Sequence, residues 1–352
     1  MAYTFFPKQR VEIRKTLTDF PEETLVEIER LFSLLKPKFE TPINIDPKQK
    51  GMINVARALS DEISIKDIKS KANLSKINIK YGNGSSGNRG VNNRGNLFEP
   101  KFAEALLDWW AGREVDSAML ASIQMIDKQF DLSNSKTFTV DVVGGENTRR
   151  PLTFGGKIIL ANPKGKGYDV GKSVTDITIK YDGGEIYLSL KLGGTTTFFN
   201  VGVKTILTTT EIKANKINNK NGKKLLSMFG INEKTFCDVF NGTLAKGVVD
   251  KRPKFDKKAL ETLLQSGIGF GYVVVHKKGK NIKTKVMDKS AMVKAAKIQG
   301  SPTVYYGGKG GKGKRVDIEF VSGDYTFKLN LRDTQGKDGY PTRLMCDFTD
   351  RK

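Results

Sequence analysis

TDITIKYDGGEIYLSLKLGG, residues 175–194, is the stretch whose reading decides the fold. Two runs of alternating apolar and polar residues flank Asp182-Gly183-Gly184-Glu185. That pattern is a β-hairpin, and Gly183-Gly184 reads as its two-residue loop. Counting back from this loop sets Asp182 opposite Glu185, Lys180 opposite Tyr187, Thr178 opposite Ser189, and Asp176 opposite Lys191. Side chains alternate along a strand. Ile177, Ile179 and Tyr181 therefore share an apolar face with Ile186, Leu188 and Leu190, and that face is expected to be core. Asp176, Thr178, Ser189 and Lys191 share the opposite face. The count places a carboxylate beside an ammonium on the polar side of a half-buried strand pair. A cross-strand salt bridge that fixes register is one reading of that pair, and a reactive site is the other. The glycine pair Gly193-Gly194 directly after Lys191 leaves room for a close backbone approach.

Outward from the hairpin, residues 137–211 carry further strand patterns, TFTVDVV, LTFGGKIIL and VKTILTTTEI among them. Helical periodicity governs 21–36, with Leu25, Ile28, Leu31 and Leu35 on one face. It returns near 51–71, over 97–112 with a continuation to about residue 130, and near 224–240 and 255–266. GFGYVVVHK at 269–277 and YTFKLNLR at 325–332 read as strands, and GGKGGKGKR at 307–315 as a basic turn between two strands. This order predicts an α+β or mixed α/β fold. The expected organisation is an N-terminal helical segment at 1–80, a flexible Gly/Asn/Ser-rich loop at 81–96 bearing Arg89 and Arg94, and one α/β domain at 97–352.

The 352 residues hold 60 Lys+Arg against 38 Asp+Glu, a net charge of +22. Such a surface attracts polyanions over long distances, which points to nucleic acid as the partner. No run approaches the roughly 18 apolar residues of a membrane span, and MAYTFFPKQRVEIRK lacks the apolar stretch of a secretion signal. Cys237 and Cys346 stand too far apart in sequence for a zinc knuckle, and His276 is the single histidine. Any metal would be held by oxygen, as Mg²⁺, Mn²⁺ or Ca²⁺ are. VGKS at 170–173 is not a phosphate-binding loop, because the spaced glycine it requires would stand at position 166, which is Lys166.

The segment around the hairpin resembles the PD-(D/E)xK nuclease superfamily. There an Asp begins one strand, and an acid-x-Lys triplet lies on its antiparallel neighbour. Asp176 matches the first Asp, and Ser189-Leu190-Lys191 falls on the triplet, with Ser189 in place of the acid. The match spans roughly 95–211. The resemblance implies a restriction-endonuclease-like central mixed sheet flanked by helices, and Mg²⁺- or Mn²⁺-dependent cleavage of DNA. A family acid on a preceding helix matches Glu99, with Glu104 in reserve. Asp176, Glu99 and the Leu190 carbonyl would then bind the metal, and Lys191 would steady the developing charge or position the attacking water.

Ser189, Asn200, Lys204, Lys309, Lys312, Lys314 and Arg315 are the expected nucleic-acid contacts, with Thr195–Thr197, Arg332, Tyr340 and Arg343 facing the same partner. The Lys-rich style is similar to that of proteins of tailed bacteriophages. That implies a host-cytoplasm or virion location, and a homo-oligomer or virion components as further partners. The competing expectation is a non-catalytic virion or packaging protein that uses the same fold as a basic platform.

Overall fold

The computed structural model describes residues 3–5, 26, 43–45, 52–55, 78–81, 95–142, 149–194, 196–334 and 339–351. The chain divides into two compact units, Met1–Glu104 and Ala105–Lys352. The fold is mixed α+β, as the sequence predicts.

In the first unit, β1 (Tyr3–Phe5), β2 (Ile43–Ile45), β3 (Met52–Val55) and β4 (Asn78–Tyr81) form a four-stranded sheet in that order. Most of the helical segment expected at 1–80 lies outside the described residues. Met52–Val55 is a strand where helical periodicity was expected, and it pairs in parallel with Asn78–Tyr81. Of the expected helix at 21–36 only Val26 is described, and it is helical. The loop expected at 81–96 lies largely outside the described residues, Arg89 and Arg94 included. The division into units falls instead within α1 (Gly95–Trp110), the helix expected at 97–112.

The second unit holds a five-stranded mixed sheet and a six-stranded antiparallel one. The first is built from β5 (Phe138–Val142), β8 (Ile177–Tyr181), β9 (Gly184–Leu192), β12 (Tyr272–Lys278) and β13 (Asn281–Met287), in the order β13-β12-β9-β8-β5. Strands β5, β8 and β9 run antiparallel in a meander, and β12 joins β9 in parallel. A small hairpin, β6 (Leu152–Phe154) with β7 (Ile158–Leu160), lies between β5 and β8 in sequence. The second sheet runs in the order β10-β17-β16-β15-β14-β11. Its strands are β10 (Thr196–Gly202), β11 (Val248–Asp250), β14 (Ile298–Tyr306), β15 (Arg315–Ser322), β16 (Tyr325–Arg332) and β17 (Arg343–Asp350). The chain passes from one sheet to the other at Gly193-Gly194, where Gly193 takes φ +108°, a conformation open to glycine.

Helices complete the unit: α2 (Ser117–Phe130), α3 (Gly171–Val174), α4 (Thr209–Lys213), α5 (Lys220–Phe229), α6 (Glu233–Asn241), α7 (Lys257–Ile268) and α8 (Lys289–Ala296). Their starts follow from capping chemistry. Asn219, Asn232, Asp256 and Asp288 each accept a backbone N–H of the first turn, an interaction worth about 1 kcal/mol per cap. Leu225, Phe229, Phe236, Phe240, Leu260 and Leu264 join Phe327, Leu329, Leu331, Leu344 and Phe348 of the six-stranded sheet in one core. Each fully buried Leu or Phe contributes on the order of 1.5–3 kcal/mol.

VKTILTTTEI is not the strand expected from its composition. Residues 203–208 turn, and α4 begins after Thr208, which accepts the Glu211 N–H at 3.3 Å and donates to the Glu211 carboxylate at 3.2 Å. This reciprocal cap outweighs the strand preference of Thr and Ile.

Candidate functional site

The hairpin forms, with its turn one residue earlier than expected. Tyr181 pairs with Gly184, so the loop is Asp182-Gly183. A distant segment fastens this turn. The Asp182 carboxylate accepts the Lys136 N–H at 2.6 Å and the Thr137 hydroxyl, and the Asp182 N–H donates to Ser135 Oγ at 3.1 Å. Those bonds hold Asp182 in the turn. The register becomes Ile177↔Leu188, Thr178↔Tyr187, Ile179↔Ile186 and Lys180↔Glu185. Every partner is displaced by two residues, so each side chain keeps its face. Ile177, Ile179, Ile186, Leu188 and Leu190 are buried as predicted.

The corrected register brings Asp176 level with Ser189 instead of Lys191. Asp176 lies at the mouth of β8 and is half-buried. Its Oδ2 accepts the Leu190 N–H at 2.7 Å and the Ser189 hydroxyl at 3.4 Å. Burial pushes the Asp176 carboxyl above the ordinary range, against the opposing pulls of the Lys191 cation, the Leu190 N–H and the Ser189 hydroxyl. Lys191, on the same face and two residues beyond Ser189, is thus electrostatically coupled to Asp176. Ser189 is only 1 % exposed. Its hydroxyl is donated to Asp176, so it is not the surface contact to nucleic acid that was expected.

The sequence gives His276 no role, yet the fold places it beside this corner. In the parallel pairing of β9 with β12, His276 is level with Lys191. His276 Nε2 lies 2.7 Å from the Gly193 carbonyl, and Nδ1 lies 3.3 Å from Asp350 Oδ2 on β17. The one histidine therefore ties the exit of β9 to the six-stranded sheet. It also lines a cavity of about 730 Å³ with Lys283, Lys285, Asp324, Asp350 and Arg351. No local motif announces this arrangement, because it depends on a parallel strand that comes much later in the chain.

Glu99 is buried in α1 and belongs to the first unit, of which Glu104 is the last residue. The corner in the second unit supplies one carboxylate, with one oxygen already accepting two hydrogen bonds, and a hydroxyl where the second acid would stand. Leu190 turns its N–H toward Asp176. Among the described residues no three His, Cys, Asp or Glu side chains converge as metal ligands. Mg²⁺ and Mn²⁺ favour near-octahedral shells of hard oxygen donors, and the donors of this corner do not fit one.

The remaining expected contacts are spread over the six-stranded sheet and its loops. Asn200 and Lys204 are exposed, on β10 and in the turn after it. Lys309 pairs with Glu319 at 2.8 Å and lies over the Tyr305 ring. Lys312 is exposed at the glycine-rich tip. Lys314 lies over the Tyr340 ring, and Arg315 is fastened to Asp317. Thr197 donates to Asp347 at 2.6 Å, whereas Thr195 lies outside the described residues. Among the described residues no helix is long and apolar enough to cross a membrane. Set beside protein-family models, curated proteins and solved structures, the chain matches none of them.

Proposed function

We propose that this chain binds DNA through a nuclease-like α/β core, with the corner of Asp176, Ser189 and Lys191 as the place where a phosphodiester is held. One observation carries the reading. An antiparallel meander, β5-β8-β9, is followed after helix α7 by a parallel strand, β12, with Asp176 at the mouth of β8 level with Ser189 and Lys191 two residues further along the same face of β9. The PD-(D/E)xK resemblance implies a central mixed sheet with an Asp opening one strand and a Lys on its antiparallel neighbour, and the net charge of +22 supplies long-range attraction to DNA. Lys191 would contact the phosphate, while Asp176 would hold Lys191 in place. A virion structural or packaging role needs binding of this kind without cleavage.

Metal-dependent hydrolysis is the second reading. It is favoured by the position of Asp176 against the acid-x-Lys triplet, and disfavoured by Ser189 and by the donor set.

Filter binding of duplex DNA over a range of salt tests the first reading, which expects log K to fall steeply with log salt. Affinity that ignores salt sinks it. Plasmid nicking in Mg²⁺ or Mn²⁺, stopped by EDTA and lost in both Asp176→Ala and Lys191→Ala, would establish the second.

A further inference from the structure

Three arginines stand level with one another across three adjacent strands of the six-stranded sheet. Arg315 pairs with Arg332, and Arg332 pairs with Arg343. Gly202 continues the row on β10 and adds no side chain to it. Directly opposed residues have Cβ atoms about 4.5–5.5 Å apart, and like charges so placed destabilise a sheet. One such pair is tolerable, but a run of three calls for compensation.

The available compensation is small. Arg315 Nε and Nη2 reach Asp317 Oδ1 at 2.8 and 2.7 Å, but that carboxylate is shared with Lys328 at 3.2 Å. Arg332 Nη2 is directed at Met345 Sδ, 3.3 Å away, and Arg332 Nε is buried with no hydrogen-bond partner in the structure. Neither Arg332 nor Arg343 forms a salt bridge with a carboxylate among the described residues. Asp333, next in sequence to Arg332, accepts the Gly339 N–H and the Thr342 hydroxyl of its own loop. The same end of the sheet carries Lys204 after β10, and Lys312 and Lys314 before β15.

We infer that the Arg315–Arg332–Arg343 row is a docking site for the phosphate backbone of nucleic acid. Guanidinium groups match phosphate oxygens bidentately, and a polyanion would remove the like-charge penalty along the row. Two strand spacings make the row about 10 Å wide. Each strand of DNA carries one phosphate per about 3.4 Å of helix axis, so the row can engage more than one phosphate. This inference rests on the reading that the partner is nucleic acid, but it names a surface separate from the Asp176–Lys191 corner.

The test is fluorescence anisotropy of a short labelled DNA duplex with the full chain, titrated at several salt concentrations, alongside thermal melting. Each phosphate contact contributes about 0.9 to the slope of log K against log salt. Arg332→Gln/Arg343→Gln should therefore flatten the slope by roughly 2 and weaken binding about tenfold or more at moderate salt. Its melting temperature should match or exceed that of the wild type, because repulsion has been removed. Arg343→Gln alone should give about half the slope change. An unchanged slope and affinity in both folded variants overturns the row, even if wild type binds DNA tightly. A lowered melting temperature with an unchanged slope makes the row structural and overturns it too. Wild-type protein that binds no duplex refutes the nucleic-acid reading itself.

Discussion

Ser189 Oγ lies 3.4 Å from Asp176 Oδ2, so a hydroxyl meets the carboxylate where the resemblance calls for a second acid. The Leu190 N–H, 2.7 Å from the same oxygen, makes Asp176 a structural acceptor. Both bonds favour the ionised form of a group that burial pushes toward the neutral one.

Asp176 therefore gives stability a pH signature. Its folded pKa is raised above the unfolded value of about 3.9. The folded state then binds the proton more tightly, and this contribution is fully present below the unfolded pKa. It is lost as pH rises through the folded pKa. Urea melts taken upward from pH 4 should show the stability of wild type falling relative to that of Asp176→Asn, which keeps an acceptor for Leu190. Asp176→Ala should cost about 1–3 kcal/mol, because it leaves that N–H unpaired. Identical pH profiles for wild type and Asp176→Asn would refute the assignment.

Restoring the acid tests the corner as a metal site. Ser189→Glu places a second carboxylate against Asp176 at a position 1 % exposed. Without divalent cation it should lose about 3 kcal/mol or more, the scale of an unpaired buried charge. Added Mg²⁺ or Mn²⁺ should restore much of the melting temperature in Ser189→Glu and leave wild type nearly unchanged. A wild-type protein stabilised as strongly by Mg²⁺ would show that its own donors suffice.

Gly171 opens α3 against the loop before β12. A Cβ there would lie 2.2 Å from the Gly271 carbonyl oxygen and 2.5 Å from the Tyr187 ring. Backbone cannot yield as a flexible side chain does. Gly171→Ala should cost about 1–3 kcal/mol, read from the urea midpoint. A neutral outcome would mean that α3 is not held against β12 as described.

Both cysteines should be chemically silent in the folded chain. Cys237 and Cys346 are free and buried. Burial pushes the Cys237 thiol up to about 11 and the Cys346 thiol well above its ordinary value. Neither forms appreciable thiolate at neutral pH. A chromogenic disulfide reagent should therefore react with neither thiol until denaturant is added. Rapid reaction of the native protein would contradict their placement in the core.

Much of the fold is legible in local pattern. YTFKLNLR is β16 from Tyr325 to Arg332, and the apolar face of the central hairpin is buried at Ile177, Ile179, Ile186, Leu188 and Leu190, with Tyr181 half-buried at its end. What escapes local reading is set by distant contacts. Asp182 moves to the turn because Ser135, Lys136 and Thr137 hold it there. A two-glycine loop and an Asp-Gly loop both fit the composition, and those long-range bonds favour the second. His276 reads as a lone histidine until β12 settles beside β9. The α4 helix had a local signal in Thr208-x-x-Glu211, a capping box masked by the strand-favouring residues around it.

The parallel seam between β9 and β12 also bears on how the chain is made. Leu188 must wait for Val273, and Lys191 for His276, before that edge is closed. During synthesis β9 emerges long before its partner, with one row of peptide groups open to any strand nearby. The intervening helices must form and find their places before the seam can zip, so this is a slow, non-local step. Fragments that stop short of residue 272 should therefore be prone to aggregate, and the corner around Asp176 should be among the last parts of the unit to mature.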